Sequence, residues 1–491
     1  MEDSGISEAA GLLAKAREVF HGDPGAMAVL DELDERLSGP LRIAVAGMVK
    51  AGKSTLLNAI IGEEIAPTDA GECTRIVTWY RHGPTPRVTL FPVHGEPRPL
   101  PVTREDGRLV FPLGGIKAED VERLVVDWPA ASLKDLTLID TPGIASLSQD
   151  VSGRSTAFLL PEDAPSAADA VIYLMRHMHA SDVRFLESFR DKAAGQSGTV
   201  NALAVLSRAD EIGAGRIDSL ISAAVIADRY SRDGNLKPLA LGVVPVAGLL
   251  AQSSRTMRQS DYEALVSLAG LGKPAWERIM LSADRFVRAT EPTGIAAETR
   301  VSLIERFGLF GIRLGVALVR GGLDDPTALA HELARRSGLG QLLQSIASLF
   351  QTRAEALKAR AAVVGLEALL RNPAPEDATS LVTALERLQA GAHEFRELRL
   401  LAALRTSGVG LAPDAAAEAE RLVGGSGTGA ALRLGLPDDS GEDSVSDAAR
   451  ACLDRWRAIA ENPLTEPAAV GACRVVIRSC EGMLAAIPAG R

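Results

Sequence analysis

Aromatic residues make up only 4% of this 491-residue sequence, cysteine occurs four times, and basic residues are outnumbered by acidic ones. No apolar run reaches the roughly 20 residues needed to span a bilayer. The cysteines, Cys73, Cys452, Cys473 and Cys480, have neither metal-ligand spacing nor the density of a secreted disulfide framework. Cys473 and Cys480 lie one heptad apart in an apolar stripe, so core thiols are expected there, and Cys73 is likewise read as packing. The charge balance, 53 Lys and Arg against 63 Asp and Glu, leaves a net −10. That excludes nucleic acid as the expected partner, because neutralising phosphates needs a basic face. The opening Met1-Glu2-Asp3-Ser4 lacks the basic and apolar regions of a signal peptide. The expected location is cytoplasmic, with peripheral attachment to the inner face of the plasma membrane as an alternative.

What is present is a chain too long for one ordinary domain, nearly half apolar and rich in Ala and Leu. Residues 7–37 read as one or two amphipathic helices interrupted at Gly22-Asp23-Pro24-Gly25. From Leu41 to about Val246, short β-branched runs alternate with helical stretches. Strands are expected at 41–46, 75–81, 87–93, 123–127, 135–140, 169–175, 201–207 and 241–246. This alternation predicts a doubly wound, mostly parallel sheet, with antiparallel hairpins from the proline-rich stretch 84–115. Beyond residue 250 the pattern is helical. Arg306-Phe307-Gly308-Leu309-Phe310-Gly311 suggests close helix packing around glycines. Residues 339–371 read as one long helix, about 50 Å at 1.5 Å per residue. Leu381, Leu385, Leu388, Ala392 and Phe395 form a coiled-coil-like seam, and further stripes surround Trp456 and run from Cys473 to Ile487. The Gly/Ser/Asp-rich segment 424–446 reads as a mobile loop.

The chemistry begins at Gly47-Met48-Val49-Lys50-Ala51-Gly52-Lys53-Ser54-Thr55, where an apolar strand opens into a phosphate-binding loop and then a helix. The glycines let backbone N–H groups close around phosphate oxygens, Lys53 adds charge, and Ser54 offers a hydroxyl to Mg²⁺. Asp140-Thr141-Pro142-Gly143 follows the next suitable strand. Asp140 can hold Mg²⁺ through water, and the Gly143 N–H can reach a γ-phosphate. Ser207-Arg208-Ala209-Asp210 ends another strand. A carboxylate at Asp210 accepts from the guanine N1–H and exocyclic amine, groups that adenine does not present together. The alternative for Asp210 is a helix N-cap. Arg208 stands where Lys is usual, and its guanidinium can stack on the base. Val246-Ala247-Gly248 would be the backbone clamp on the base. Thr74 is the expected switch threonine completing the Mg²⁺ shell, with Thr68 and Thr78 as competitors.

Together, the phosphate loop, Cys73-Thr74-Arg75, Asp140-Thr141-Pro142-Gly143 and Ser207-Arg208-Ala209-Asp210, flanked by helices on both sides, resemble a bacterial dynamin-like GTPase. Similarity to the isoniazid-inducible members of mycobacteria is carried by Ile65-Ala66-Pro67-Thr68-Asp69-Ala70, Thr74-Arg75-Ile76-Val77-Thr78-Trp79 and the run from Arg81 to Val88. It extends through Ser207–Asp218, Glu305-Arg306-Phe307-Gly308 and Gly424-Gly425-Ser426-Gly427-Thr428, and so covers most of the chain. The resemblance implies an α/β GTPase head over 38–335 and an all-α bundle, like a dynamin neck, built from 1–37 and 338–491. It further implies GTP and GDP as ligands with Mg²⁺, nucleotide-dependent self-dimerisation through the GTPase face, and membrane remodelling beside an IniA-like partner.

Two departures matter. Ile144 follows the Asp140–Gly143 motif, so the glutamine that orients water in Ras-type switches is absent. Lys50 occupies the loop position where related GTPases place a catalytic cation, and it is the candidate for stabilising leaving-group charge, against the reading of a solvated lysine on the rim. The apolar Val49 and the short bundle leave a second function open: a GTP-gated scaffold that hydrolyses poorly and regulates an active homologue.

Overall fold

The computed structural model describes residues 5–67, 76–105, 108–113, 115–143, 166–189, 201–289, 293–371, 378–406 and 408–487. Eleven strands are formed: β1 (Leu41–Gly47), β2 (Val77–His82), β3 (Arg87–Pro92), β4 (Arg98–Leu100), β5 (Thr103–Glu105), β6 (Arg108–Val110), β7 (Val121–Trp128), β8 (Leu136–Asp140), β9 (Ala170–Met175), β10 (Ala202–Ser207) and β11 (Val243–Val246). All eight expected strands are present within a few residues of their predicted ends. Nine strands form one mixed sheet in the order β11-β10-β9-β1-β8-β2-β7-β3-β4, while β5 and β6 pair as a separate hairpin. The block from β11 to β8 is parallel throughout. Strand β2 turns antiparallel to β8 but runs parallel to β7, and the proline-rich stretch supplies the antiparallel β3–β4 edge.

The parallel block of the sheet is buried on both faces, as parallel strands require. Alternation assigns Ala44, Ala46, Val171, Tyr173, Ala204 and Leu206 to one face, covered by the helices Ala180–Ser188 and Ser219–Ser231. Ile43, Val45, Ile172, Leu174, Val205 and Val246 point to the other. On that second face the core does not stop at the expected head boundary. One buried cluster holds Ile43, Leu57 and Val246 together with Leu342, Phe350, Leu366, Leu401 and Trp456. Polar contacts run along the same seam. The buried Arg36 Nε donates to Asp169 Oδ1 at 2.8 Å, and Lys358 Nζ donates to the Gly39 carbonyl at 3.0 Å.

The stretch expected to complete the head is a helical layer of its own. Helices from Gly248–Arg255 to Pro326–Arg336 close around Leu250, Leu265, Phe286, Phe307, Phe310 and Leu333. Glycine packing holds there: a Cβ at Gly311 would lie 3.3 Å from Leu250 Cδ1, and one at Gly308 3.3 Å from Leu249 Cδ2. At Gly308 the helix Ala297–Arg320 is interrupted, with φ 62° and ψ 176°.

In the bundle, three expectations are corrected. The single helix over 339–371 is two, Leu339–Leu349 and Ala354–Arg371, separated by a 3₁₀ turn at Gln351–Arg353. The break lets Phe350 bury completely and turns Arg353 inward, where its Nη2 donates to the carbonyls of Val423 and Gly424. The seam through Leu381 and Phe395 likewise bends at Ala392, between the helices Thr379–Gly391 and His393–Thr406. The segment 424–446 is ordered: Gly424 and Gly425 are buried, and the helix Ala430–Leu434 and the first turn of Glu442–Glu461 lie within it. Cys452, Cys473 and Cys480 are buried free thiols, and burial raises the pKa of each.

The N-terminal helices Gly5–Val19 and Pro24–Ser38 join this bundle. Asp23 caps the second, accepting from the Gly25 and Ala26 amides at 2.9 and 3.1 Å, with Pro24 in the first turn. Their partner helix Ala354–Arg371 approaches so closely at Gly365 that a Cβ there would lie 2.7 Å from both Leu33 methyl carbons. Gly365→Leu is therefore expected to destabilise the fold by about 1–3 kcal/mol through overpacking. This outweighs the roughly 0.8–1 kcal/mol gain in helix propensity. Chemical denaturation is the measurement, and the cost should shrink in a Leu33→Ala background, which opens the same space.

Candidate nucleotide-binding site

Strands β1, β8, β9, β10 and β11 end at the same edge of the sheet, and the loops leaving them form the site. Strand β1 ends at Gly47, paired in register with Leu174 of β9. A Cβ at Gly47 would lie 2.5 Å from the Leu174 carbonyl oxygen, so only glycine lets the two backbones meet there. The loop then turns, with the Ala51 N–H donating to the Met48 carbonyl at 3.1 Å, and enters the helix Lys53–Ile61 through Gly52 at φ 94°. Lys53 Nζ lies 3.4 Å from the Gly47 carbonyl. Burial lowers the Lys53 pKa, opposed by the negative charge of Asp140.

Asp140 ends β8. Ser54 Oγ donates to its Oδ2 at 3.1 Å, while its Oδ1 is buried without a hydrogen-bond partner. Burial raises the Asp140 carboxyl to about 6, against the opposing effects of Lys53 and the Ser54 hydrogen bond. A hard oxygen donor left unsatisfied beside a serine hydroxyl fits a Mg²⁺ site. Ser54 and Asp140 are the described residues that would hold the ion. Thr141 anchors the next turn by donating from Oγ1 to the Val45 carbonyl at 3.0 Å. Gly143 then lies against the phosphate loop, where a Cβ would stand 2.7 Å from Val49 Cγ2 and 3.1 Å from Val49 Cα. Thr74 and Thr68 lie outside the described residues. Thr78 pairs in register with Asp140, but its hydroxyl donates to the Ile76 carbonyl at 3.3 Å.

The base side is formed after β10 and β11. Ser207 Oγ donates to the Met175 carbonyl at 3.2 Å, tying β10 to β9. Asp210 lies within the 3₁₀ turn Ala209–Ala214, with Arg208 in the cap position, so the N-cap alternative is not what is found. Burial raises the Asp210 carboxyl to about 6. A cavity of about 150 Å³ joins these parts, lined by Ala51, Gly52, Thr55, Ser207, Arg208, Asp210, Val246 and Gly248 among others. Ala247 does not line it. Its N–H donates instead to the Ser337 carbonyl at 2.9 Å, because the chain entering the bundle packs directly behind this strand. Residues that motif reading missed are Leu56, Leu174, Val205, Glu211 and Leu249, which shape the same cavity. Most are apolar strand or helix positions whose contribution depends on which strands are neighbours. Glu211 adjoins the motif and was legible.

Val49 and Lys50 are exposed on the loop, Val49 by 45%. Lys50 adopts φ 64°, a left-handed conformation uncommon outside glycine, and its carbonyl accepts from Arg208 Nη2 at 3.1 Å. The glycine-rich loop after β1 is thus tied to the loop after β10.

Comparison with known proteins agrees with this geometry. Residues 43–108 match the family model for the dynamin family. The isoniazid-induced protein IniC of Mycobacterium tuberculosis is 46% identical over 463 residues, covering 94% of this chain and 93% of that one. The bacterial dynamin-like protein of Nostoc punctiforme is 28% identical over 166 residues, 31% of this chain and 23% of that one. The isoniazid-induced protein IniA of Mycobacterium tuberculosis is 25% identical over 329 residues, 65% of this chain and 47% of that one. A solved bacterial dynamin pair, described as oligomerised and as sensing and tethering membranes, aligns at 14% identity with a TM-score of 0.31, over 98% of this chain and 73% of that one. Identity approaching one half over nearly the full length of both chains is decisive, and this chain belongs to the dynamin family, as a dynamin-like GTPase related to the isoniazid-induced IniC proteins.

Proposed function

We propose that the chain binds GTP with Mg²⁺, hydrolyses it to GDP and phosphate, and pairs with a second copy through its nucleotide face. In this reading the bundle moves as a lever, serving membrane remodelling or maintenance beside an IniA-like partner on the cytoplasmic face of the plasma membrane. The observation that carries it is the cavity uniting Gly52 and Thr55 with Asp210 and Gly248, beside a buried Asp140 oxygen that has no protein partner. Continuity of the buried core from sheet to bundle supports the lever, since a shift at the sheet cannot be absorbed by a loose joint. No helix among the described residues is long and apolar enough to cross a membrane, so the membrane would be met from its surface.

Each residue then has a task. Lys53 and the loop amides hold the β- and γ-phosphates, and burial makes the lysine a strong partner once phosphate supplies the missing negative charge. Ser54 and Asp140 hold Mg²⁺, with Thr74 as the proposed third contributor; the ion supplies charge neutralisation across the phosphates. The Gly143 N–H faces the γ-phosphate. Water attacks the γ-phosphorus, its oxygen–phosphorus bond forming as the bond to the β–γ bridging oxygen breaks. The proposed source of charge stabilisation at that bridging oxygen is Lys50, which is exposed on the loop and free to be directed by a second copy.

Specific GTPase activity is expected to rise with protein concentration if pairing drives turnover; a flat, low rate would instead favour the GTP-gated scaffold. Lys50→Ala should keep its GTP affinity and lose roughly 10²-fold in pairing-stimulated turnover. Full turnover in that variant would return Lys50 to a solvated rim position.

Asp210 generates a pH prediction with a definite sign. Its carboxyl in the free protein is raised to about 6, and guanine needs the ionised form. GDP affinity should therefore be full above that value. It should fall as pH drops below it, by up to about tenfold per pH unit, because protons compete with the base. Asp210→Asn removes this titrating group, leaving Asp140, also raised to about 6, to titrate in the same window; the variant should therefore show a shallower acid dependence and lose most of the preference for GDP over ADP. Calorimetric titrations between pH 5 and 7.5 read both.

A further inference from the structure

Arg208 lines the cavity, and two further basic residues stand at the neighbouring strand ends. Arg176 directly succeeds β9, Arg208 directly succeeds β10, and Lys50 lies in the loop after β1, so all three leave neighbouring strand ends. Glu211 joins the first two. Arg176 Nη2 donates to its Oε2 at 2.8 Å, and Arg208 Nη1 donates to its Oε1 at 2.7 Å, so each carboxylate oxygen holds a different guanidinium. The other terminal nitrogen of Arg208, Nη2, donates to the Lys50 carbonyl at 3.1 Å.

We propose that Glu211, steadied by Arg176, is a positioning residue that holds the Arg208 guanidinium against the Lys50 carbonyl and thereby sets the phosphate loop for nucleotide. The proposal rests on the nucleotide-binding reading given above and extends it to residues that carry neither phosphate nor base. A guanidinium is a rigid planar fork, so fixing one terminal nitrogen on Glu211 places the other. A lysine ammonium has no such second arm of fixed direction, which gives a reason for arginine at position 208 where the family pattern has lysine.

The backbone supplies independent support. Lys50 and Arg208 have φ of 64° and 52°, two of the four non-glycine residues with positive φ among those described. Such conformations persist where the surroundings over-determine them, and here the two strained residues are bonded to each other across the cavity. Glu211 itself lines the cavity beside Asp210. Without its two arginine partners it would set a second negative charge near the base-reading carboxylate and in the field of an incoming polyphosphate. With them, the cluster of Arg176, Glu211 and Arg208 carries one net positive charge.

A double-mutant cycle on the full-length chain tests this, with GDP and ADP affinities measured by calorimetry. Because the pairs are partly exposed, modest effects are expected. Glu211→Ala and Arg176→Ala should each weaken GDP binding by about threefold to fivefold, and the double variant should bind as Glu211→Ala does. Arg176→Lys, which keeps the charge, should recover most of the loss. Thermal unfolding midpoints without nucleotide should match the wild type throughout. The brace is overturned if the single variants bind GDP normally, if their losses multiply in the double variant, or if each loss tracks a lowered unfolding midpoint. A wild-type protein with no preference for GDP over ADP would bring down the nucleotide-binding reading and the brace with it. Retained preference with multiplying losses would bring down the brace alone.

Discussion

Backbone crowding at one edge of the sheet is the constraint on which the rest of the structure depends. Strands β1 and β9 meet at Gly47 with no space for a Cβ, and Gly143 closes against Val49 in the same way. These two close approaches press the phosphate loop between its neighbours. They also bring Asp140 next to Ser54 and Lys53, in a setting where charge is poorly solvated. The opposing pKa shifts of Lys53 and Asp140 express one fact: both groups are desolvated in the expectation of company. A site of this kind is costly by itself and would be stabilised by a ligand that supplies the missing charges.

The same edge is linked to the bundle by contacts that do not pass through a flexible joint. The Ala247 N–H, between two residues that line the base cavity, is bonded to Ser337, the residue before the turn into the first bundle helix. At the opposite end of the strands, Arg36 from an N-terminal helix is paired with Asp169 at the start of β9, with side-chain exposures of 5% and 0%. Breaking so buried a pair leaves an uncompensated charge, which favours keeping helix and strand together. Head and bundle share one continuous buried core on this face of the sheet, while the helical layer around Phe286 and Phe307 closes a separate core.

How much of this was legible beforehand differs by level. The strands were readable because their signal is local: β-branched runs bounded by turn residues. Gly47, Gly52, Lys53, Ser54, Asp140 and Asp210 could be singled out as candidates because a phosphate cradle and a base-reading carboxylate demand particular residues at particular spacings, and the fold brings them to one edge of the sheet. The break at Phe350–Arg353 was not, since the apolar periodicity of 339–371 continues through it. The carbonyls of Val423 and Gly424, about seventy positions away in sequence, and the charge of Glu397 give Arg353 a reason to turn inward. For the same reason the glycine-rich segment after Leu422 looked mobile from composition, although its glycines are there to let helices and the Arg353 side chain approach.

The sequence by itself determined the class of protein, the strands of the sheet and the candidate residues of its nucleotide edge, because each rests on short-range pattern and on chemistry that few residue types can perform. Tertiary structure alone decided that Ala247 faces the bundle rather than the base, that Glu211 stands between two arginines, and that the head shares its core with the bundle. Those outcomes depend on which strand ends become neighbours, and neighbours distant along the chain leave no periodic trace in it.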